Sequence, residues 1–342
     1  MSVHSSQFTV HSSHLTLFLL LCGCLCVACH HSNRTATPQT PAVDYSSVEI
    51  PLFVADSAYQ FVADQVYFGP RTPGSEAHRR CAKYLCDKMA QWCDTVIVQP
   101  FNARLWDGSS VEGKNIIASF NPTKSKRVLL AAHWDSRLWA DHDPDPAYHH
   151  SPILGANDGA SGVAVLMEMA RVMSQQRPDV GVDFVFFDVE DQGTPSWGDS
   201  YEDDTWCKGS QYWSATPHVP FYQAVYGVLF DMVGTANPRF TKEQFSMTYA
   251  SSITNKLWNA AAALGLENVF VNQKTDPILD DHIYVNRIAA IPMVDIVQNS
   301  PQGNFFPYWH TMRDDLAAID APTMAMVANV TMKVIYSDFA TK

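Results

Sequence analysis

The segment RVLLAAHWDSR, residues 127–137, is the clearest indication of the fold in this sequence. It begins with an apolar run that has the composition of a strand covered on both faces of a sheet. At the carboxyl end of that run stand His133 and Asp135, two side chains that can bind metals. In open parallel sheets, reactive groups gather outside the carboxyl ends of the strands. The stretch therefore predicts one strand of a parallel sheet that opens into a functional cleft.

A second apolar run, from Val182 to Val189, ends in Glu190 and Asp191. Adjacent acids usually mark a solvated strand end, but this run is too apolar to be a surface strand. Between the two runs, Asp158 precedes a small-residue turn and a segment whose apolar positions recur at helical spacing. His310, far downstream, adds a second imidazole. Imidazole and carboxylate groups together suit zinc best, so we expect a metal site here.

Strand and helix patterns alternate along the chain from residue 75 onward. This alternation predicts an α/β fold, a three-layer sandwich whose central, mixed and mostly parallel twisted sheet is flanked by helices. The predicted strands cover residues 95–101, 115–120, 127–132, 182–189, 226–232 and 289–297, and the predicted helices cover residues 75–92, 160–176, 251–264 and 320–337. The first two strands are candidates for antiparallel edge strands. Three long loops that follow strand ends hold much of the aromatic material, which is typical of functional loops: residues 137–154, 192–221 and 298–313.

The composition is that of an ordinary folded protein. The sequence shows no internal repeat and no convincing second domain boundary, so we expect a single catalytic domain at residues 48–342. Hydrophobic residues make up 46% and charged residues 17% of the chain, which is ample material for a core. The net charge is −12 and no basic run occurs, which argues against nucleic acid as a partner.

The first 29 residues contain no Lys, Arg, Asp or Glu, and their apolar stretch has the length of a signal-peptide core. Small residues precede Cys24 and Cys29, as in a bacterial lipobox, where the cysteine becomes the lipidated first residue. Residues 30–47 have the composition of a flexible tether. We therefore expect an exported lipoprotein of the periplasm or outer membrane that meets the membrane only through its lipid anchor. The alternative is a plain signal peptide and a secreted product.

Four cysteines lie outside this leader: Cys81, Cys86, Cys93 and Cys207. None of them matches a cysteine-based zinc motif, and the spacing of the first two points their side chains apart on a helix. We expect these cysteines to be buried small hydrophobic side chains, although an exported protein could form one disulfide among them.

Several short motifs, in a fixed order, resemble the zinc-dependent aminopeptidase fold: His133-Trp134-Asp135, Asn157-Asp158-Gly159, Glu190-Asp191, Phe230-Asp231 and Trp309-His310. Within that superfamily the chain most resembles the animal-type glutaminyl cyclases and their bacterial relatives. The motifs of that branch are Arg71-Thr72-Pro73-Gly74-Ser75, Trp197, the WCKGSQY segment at residues 206–212, Asp280-Asp281-His282-Ile283 and Trp309-His310-Thr311. The resemblance covers the chain from about Asp44 to the C-terminus.

The resemblance implies three ligands for one zinc per chain and three catalytic acids. The implied ligands are Asp158, Asp191 and His310, and the implied acids are Glu190 as the acid/base with Asp231 and Asp280 in support. Many relatives carry Glu-Glu where this chain has Glu190-Asp191, so one implied ligand is a methylene shorter. Aspartate is an ordinary zinc ligand, so the departure concerns only the detailed geometry.

The implied reaction converts the N-terminal glutamine of a peptide or protein to pyroglutamate and releases ammonia. Zinc would polarise the γ-carboxamide, while Glu190 would carry a proton from the α-amine to the leaving nitrogen. A pocket formed by Trp197, Trp309 and Phe306 would hold the glutamine side chain in a bent conformer. The expected partners are peptide or protein substrates alone, and the expected state is a monomer.

A di-zinc aminopeptidase is the main alternative. In that enzyme His133 and Asp231 would help to hold a second zinc, and Asp158 would bridge the two metals. All of these ligands are present, but a peptidase has no obvious need for Asp280 and Trp197. A binding protein with a relic metal site would show damaged catalytic positions, and these are intact. Three histidines in a polar loop are expected to be solvated and not to bind metal: His142, His149 and His150.

Overall fold

The central sheet has six strands, and a separate small sheet has two. The computed structural model describes residues 43–198, 203–300, 302 and 304–340. The strands are β1 (Thr95–Arg104), β2 (Ser110–Phe120), β3 (Arg127–His133), β4 (Gly181–Phe187), β5 (Tyr226–Asp231), β6 (Phe240–Glu243), β7 (Phe270–Thr275) and β8 (Met293–Val297). The order in the large sheet is β1-β2-β4-β3-β5-β8, and β6 pairs with β7 in the small one.

Three of the five strand pairs in the large sheet are parallel. Strands β4, β3, β5 and β8 run side by side in the same direction. The strands β1 and β2 form an antiparallel hairpin at one edge, and β2 joins β4 antiparallel. The sheet is therefore mixed and mostly parallel, with antiparallel edge strands, as the sequence predicts.

In the described ranges, eight α-helices flank this sheet: α1 (Ala55–Tyr67), α2 (Glu76–Met89), α3 (Ala160–Met173), α4 (Lys208–Ala215), α5 (Gln244–Tyr249), α6 (Ser251–Ala263), α7 (Asp281–Arg287) and α8 (Ala321–Asp338). Leu130 of β3 packs into the main core with α1, α2, α3, α6 and α8. Its neighbour Leu129 packs on the other face with Trp213 of α4 and Val285 of α7. Successive side chains of a strand point to opposite faces, so both faces of β3 are buried. The three-layer sandwich is confirmed.

Some element boundaries differ from the predicted ones. The last strand begins at Met293 and not at residue 289, because Ala290 takes a left-handed backbone (φ 56°) and Pro292 has no N–H to donate. The loop predicted at residues 192–221 contains α4. The predictions also omit α1, α5, α7 and the small sheet.

The four cysteines of the described ranges are free thiols, so they do not form the one disulfide that the sequence allowed. The predicted leader, residues 1–29, and residues 30–42 of the predicted tether lie outside the described residues. At the end of the tether, Tyr45–Ser47 form a short 3-10 helix, and the Tyr45 side chain is buried in the main core. Within the described ranges, no helix has both the length and the apolar character needed to cross a bilayer.

Candidate active site

The carboxyl ends of three neighbouring strands bring the predicted site residues together. His133 is the last residue of β3, and Asp231 is the last residue of β5. Glu190 and Asp191 follow β4, and Asp158 lies just before α3. All five side chains are buried. The carboxyl ends of these strands thus bring acids and an imidazole together, as the two apolar runs predict.

The backbone at this edge adopts conformations that ordinary residues rarely take. Val189, Met232 and His310 have φ angles of 56°, 50° and 55°. A left-handed conformation is a genuine outlier for a β-branched residue such as valine. Each such residue costs about 1–3 kcal/mol and persists only where the surrounding structure holds it, most often at functional sites. The packing here imposes turns that direct the neighbouring acids into the cleft.

Asp158, Asp191 and His310 form the first cluster that could hold a metal. One ligand atom from each lies within 4.8 Å of the other two. The Nε2 atom of His310 is 3.0 Å from Oδ1 of Asp191 and 3.6 Å from Oδ2 of Asp158. Oδ2 of Asp158 and Oδ2 of Asp191 are buried without a hydrogen-bond partner. Unpaired buried carboxylate oxygens are costly, and a cation between them would satisfy both. Two carboxylates and an imidazole form a donor set that suits zinc.

A second cluster shares Asp158 with the first. His133 Nε2 lies 3.0 Å from Oδ1 of Asp158 and 3.2 Å from Oδ1 of Asp231. Burial alone would lower the pKa of His133, but hydrogen bonds to its carboxylate neighbours raise it well above its ordinary value. The same three side chains also form a group that could hold a second metal.

The imidazole of His310 lies beside a buried ion pair that the sequence did not reveal. Its Nδ1 atom is 3.3 Å from Oδ1 of Asp141. Arg137 donates to both carboxylate oxygens of Asp141 at 2.7 Å and to the carbonyl of Asp191 at 2.9 Å. Partners of this kind fix the orientation of a metal-binding histidine. Charged side chains in a long loop give no sign of burial, so this ion pair was not predicted.

Two more buried acids hold the backbone of the site. Asp135 accepts hydrogen bonds from the backbone N–H groups of Glu190 and Asp191, at 3.1 and 3.2 Å. Asp314 accepts one from the N–H of Asp158 at 3.1 Å. The sequence motif placed Asp135 near the site, whereas nothing in the sequence singled out Asp314.

Glu190 lies beside the ligand clusters among other buried acids. Burial raises the pKa of Glu190 well above its ordinary value, and the negative charges of Asp191 and Asp280 raise it further. Burial also raises the pKa of Asp280 to about 7, with Asp231 adding to the rise. Likewise, burial raises the pKa of Asp231 to about 6. Carboxyl groups with such pKa values can exchange protons near neutral pH.

These groups line a cavity of about 380 Å³. The acids Asp158, Glu190, Asp191, Asp231 and Asp280 and the imidazole of His310 form its polar wall. Its apolar wall includes Trp206, Met232, Ile278, Phe305 and Trp309. This size suits a small ligand or the end of a peptide chain.

Trp309 lines this cavity as predicted, but Trp197 and Phe306 are not among the described residues that do. Trp197 is 37% exposed and packs against loop side chains away from the ligand clusters. Phe306 is buried behind the wall, in a small apolar cluster. Trp206 and Phe305 stand in their places. Aromatic residues in irregular loops have no periodicity, so the sequence does not show which of them faces the cavity.

The histidines of the polar loop only partly match their expected solvated state. His142 and His150 are exposed, whereas His149 is half-buried and contacts the carbonyl of Asp143 at 2.8 Å. A ligand atom of His142 also lies within 4.8 Å of those of Asp141 and His310. Since Asp141 is already engaged by Arg137, this grouping is a weaker candidate for a metal than the two clusters above.

Comparison with known proteins places this geometry in a family. The model of peptidase family M28 matches residues 115–335. Bacteroides thetaiotaomicron glutaminyl cyclase, solved with bound N-acetylhistamine, is 44% identical with a TM-score of 0.83, covering 86% of this chain and 100% of that one. A Zn-dependent exopeptidase from Parabacteroides distasonis is 46% identical with a TM-score of 0.83, covering 84% and 99%.

A further relative adds to these structures. The glutaminyl-peptide cyclotransferase of Gloydius blomhoffii is 28% identical over 301 residues, covering 76% of this chain and 74% of its own length. The resemblance to the zinc aminopeptidase superfamily and its glutaminyl cyclase branch is confirmed by these relatives. The chain belongs to peptidase family M28.

Proposed function

We propose that this protein is a glutaminyl-peptide cyclotransferase that converts the N-terminal glutamine of peptides and proteins to pyroglutamate. The observation that carries the proposal is the shared cavity wall. Glu190 and Asp280 line the same small cavity as the cluster of Asp158, Asp191 and His310. The similarity to the Bacteroides thetaiotaomicron glutaminyl cyclase supports the same activity.

One zinc ion, held by Asp158, Asp191 and His310, is the proposed cofactor. The donor types and the two buried oxygens without partners support this assignment. When bound, zinc supplies Lewis-acid polarisation of the γ-carboxamide oxygen of the substrate. Asp141 keeps the His310 ring in the orientation that this role requires.

Glu190 is the proposed proton carrier. The α-amino nitrogen of the substrate forms a bond to the side-chain amide carbon, and the bond from that carbon to the amide nitrogen breaks. Glu190 accepts a proton from the α-amine and returns one to the leaving nitrogen, which departs as ammonia. Its raised pKa suits both halves of this transfer. Asp280 and Asp231, the supporting acids, lie in the same cavity wall.

The apolar wall supplies the geometry of the reaction. Cyclisation joins two ends of one residue, so holding the glutamine side chain bent provides much of the rate. Trp309, Trp206 and Phe305 line the cavity beside the acids. Trp206 and Phe305 take the place that the sequence analysis gave to Trp197 and Phe306.

A di-zinc aminopeptidase is the second candidate. The cluster of His133, Asp158 and Asp231 offers a second metal site that shares a ligand with the first. One similar structure is a Zn-dependent exopeptidase. Against this candidate stands the acid Asp280 in the cavity wall, for which peptide hydrolysis has no clear use.

The purified protein should be incubated with a peptide that begins with glutamine. Cyclisation releases ammonia and leaves every other residue attached, whereas an aminopeptidase releases free glutamine. Metal content near one equivalent agrees with the cyclase, and content near two agrees with the peptidase. Free glutamine as the main product would overturn the proposal.

We also propose that the chain is exported, lipid-anchored and monomeric. The support is the uncharged apolar leader with its Cys24 and Cys29, followed by the polar segment at residues 30–47. Labelled fatty acid should enter the wild-type protein and be lost from one of Cys24→Ser and Cys29→Ser. Labelling of neither cysteine would contradict the anchor, and sedimentation of the soluble domain measures the oligomeric state.

A further inference from the structure

Cys207 is a buried cysteine that lies among acids. Its side chain is fully buried, yet it belongs to none of the apolar clusters formed by the described residues. Cys81 is equally buried and lies within the main apolar core. The Sγ atom of Cys207 and one carboxylate oxygen from each of Glu190 and Asp280 all lie within 4.8 Å of one another. A cysteine that serves only as a small hydrophobic side chain is expected among other hydrophobic groups.

The backbone fixes Cys207 to the segment that carries Glu190. The N–H of Cys207 donates to the carbonyl of Glu190 at 2.9 Å, and the N–H of Lys208 donates to the carbonyl of Val189 at 3.0 Å. Cys207 takes a left-handed backbone (φ 54°) at the start of α4. These bonds hold the two side chains at a set separation, so their contact does not depend on a flexible loop.

The thiol lies against one oxygen of the Glu190 carboxylate. The Sγ atom of Cys207 is 3.1 Å from Oε1. Burial raises the pKa of the Cys207 thiol well above its ordinary value, with the charge of Glu190 adding to the rise, so the thiol keeps its proton and donates. The other oxygen, Oε2, is on the side of His133, 4.0 Å from its Nδ1 atom. One oxygen is therefore held by the thiol while the other lies on the side of the His133 ring.

We propose that Cys207 is a positioning residue, whose thiol holds Oε1 of Glu190 so that Oε2 faces the substrate amine. The inference rests on the proposed function, in which Glu190 carries the proton. A cysteine that only fills space would need its volume, whereas a positioning residue needs its donor. Serine keeps a donor at this place and alanine does not, so the two substitutions separate the readings.

The kinetic test compares Cys207→Ala, Cys207→Ser and the control Cys81→Ala on a glutamine-initiated peptide. Loss of a hydrogen bond to a charged group predicts a kcat about tenfold lower in Cys207→Ala, with KM within about twofold of wild type. Cys207→Ser should recover to within about threefold. Cys81→Ala should lower the melting temperature and leave kcat unchanged. A wild-type kcat in Cys207→Ala, or a kcat in Cys207→Ser as low as in Cys207→Ala, would overturn the proposal.

A spectroscopic test needs no turnover. The infrared difference between wild type and Cys207→Ser isolates the S–H stretching band of Cys207. Glu190→Ala should move this band to higher frequency because the thiol loses its acceptor, and an unmoved band would overturn the contact. If wild type forms no pyroglutamate, the proposed function fails while this measurement still decides the Cys207–Glu190 contact. It also stands if Cys207→Ala fails to fold.

Discussion

Glu190 and Asp191 are neighbours in the chain with different surroundings in the fold. Asp191 lies 3.0 Å from His310 and accepts from Arg137 through its carbonyl. Glu190 instead contacts the thiol of Cys207. Environments that differ in this way assign different roles to two adjacent carboxylates. The two proposed roles, metal ligand and proton carrier, are thus separated within a single dipeptide.

Replacing Glu190 by Gln keeps the shape of the side chain and removes its ability to exchange a proton. We expect kcat to fall by at least about 10²-fold, since general acid–base groups contribute about 10²–10⁴-fold. Zinc content should remain at the wild-type level because the ligands are unchanged. Kinetics with metal analysis measures both. The matched control is Glu112→Gln, at an exposed glutamate, and retained activity in Glu190→Gln would contradict the assignment.

Phe305 and Phe306 offer a matched pair, because one lines the cavity and the other is buried behind it. Phe305→Ala should raise KM about fivefold, as loss of part of an aromatic contact costs about 1 kcal/mol. Phe306→Ala should lower the free energy of unfolding by about 3–5 kcal/mol, since its side chain is 3% exposed. Steady-state kinetics and denaturant unfolding of both variants check this. The reverse pattern would restore Phe306 as a wall residue.

Residues at the ends of apolar strands were predictable from the local pattern, whereas burial and side-chain direction inside the long loops were not. His133 and Asp231 end strands whose apolar composition the sequence shows plainly. Trp206 and Asp141 lie in loops, where neither burial nor direction follows a period. Asp141 is buried because Arg137 pairs with it, an interaction that only the folded loop creates.

At the scale of elements, the strands β3 and β4 were predictable because both faces of each are buried. A strand of this kind reads as a continuous apolar run. Strands β6 and β7, with the sequences FTKE and FVNQKT, are too polar to stand out. Helix α4 has only eight residues, and Lys, Ser and Gln interrupt its apolar pattern. Tertiary contacts, which a local pattern does not show, stabilise these three elements.

Helix α3 approaches β3 closely because Gly159 precedes it. Gly159 has φ 69°, and a Cβ atom there would lie 2.6 Å from Cε1 of His133. Gly159→Ala should therefore destabilise the fold and lower kcat by displacing His133. Gly265→Ala is the control, since Gly265 has φ 73° and nothing lies within 4 Å of the added atom.

The control should cost about 1 kcal/mol for its backbone conformation alone. Gly159→Ala should cost about 1–3 kcal/mol more, because the clash adds to the same conformational cost. Urea unfolding of the two variants measures the difference. Equal losses of stability would show that the approach of α3 to His133 is not tight.

The fold buries several acids close to one another. Burial, the largest cause in each case, raises the pKa of every carboxyl group in this set: Glu190, Asp231, Asp280, Asp281 and Asp295. In the folded protein without metal, the raised pKa values keep these carboxyl groups protonated at pH values where the unfolded chain has already released its protons. This set of acids is therefore a source of pH-dependent instability that a cation would relieve.

Removing zinc should thus destabilise the protein more at about pH 8 than at about pH 5. A carboxyl group such as Asp280, with its pKa raised from 3.8 to about 7, stabilises the fold below the unfolded pKa and loses that contribution as the pH rises through 7. His133, whose pKa is also raised, acts in the same direction above its unfolded value of 6.5. Bound zinc offsets the loss because its charge favours the ionised carboxylates, and fewer protons compete with it at higher pH.

Melting curves with zinc and with a chelator, recorded at both pH values, measure the difference. In the zinc-free protein, Asp280→Asn should make the decline with pH shallower. A zinc-free protein that grows more stable between the two pH values would contradict this account of the buried acids.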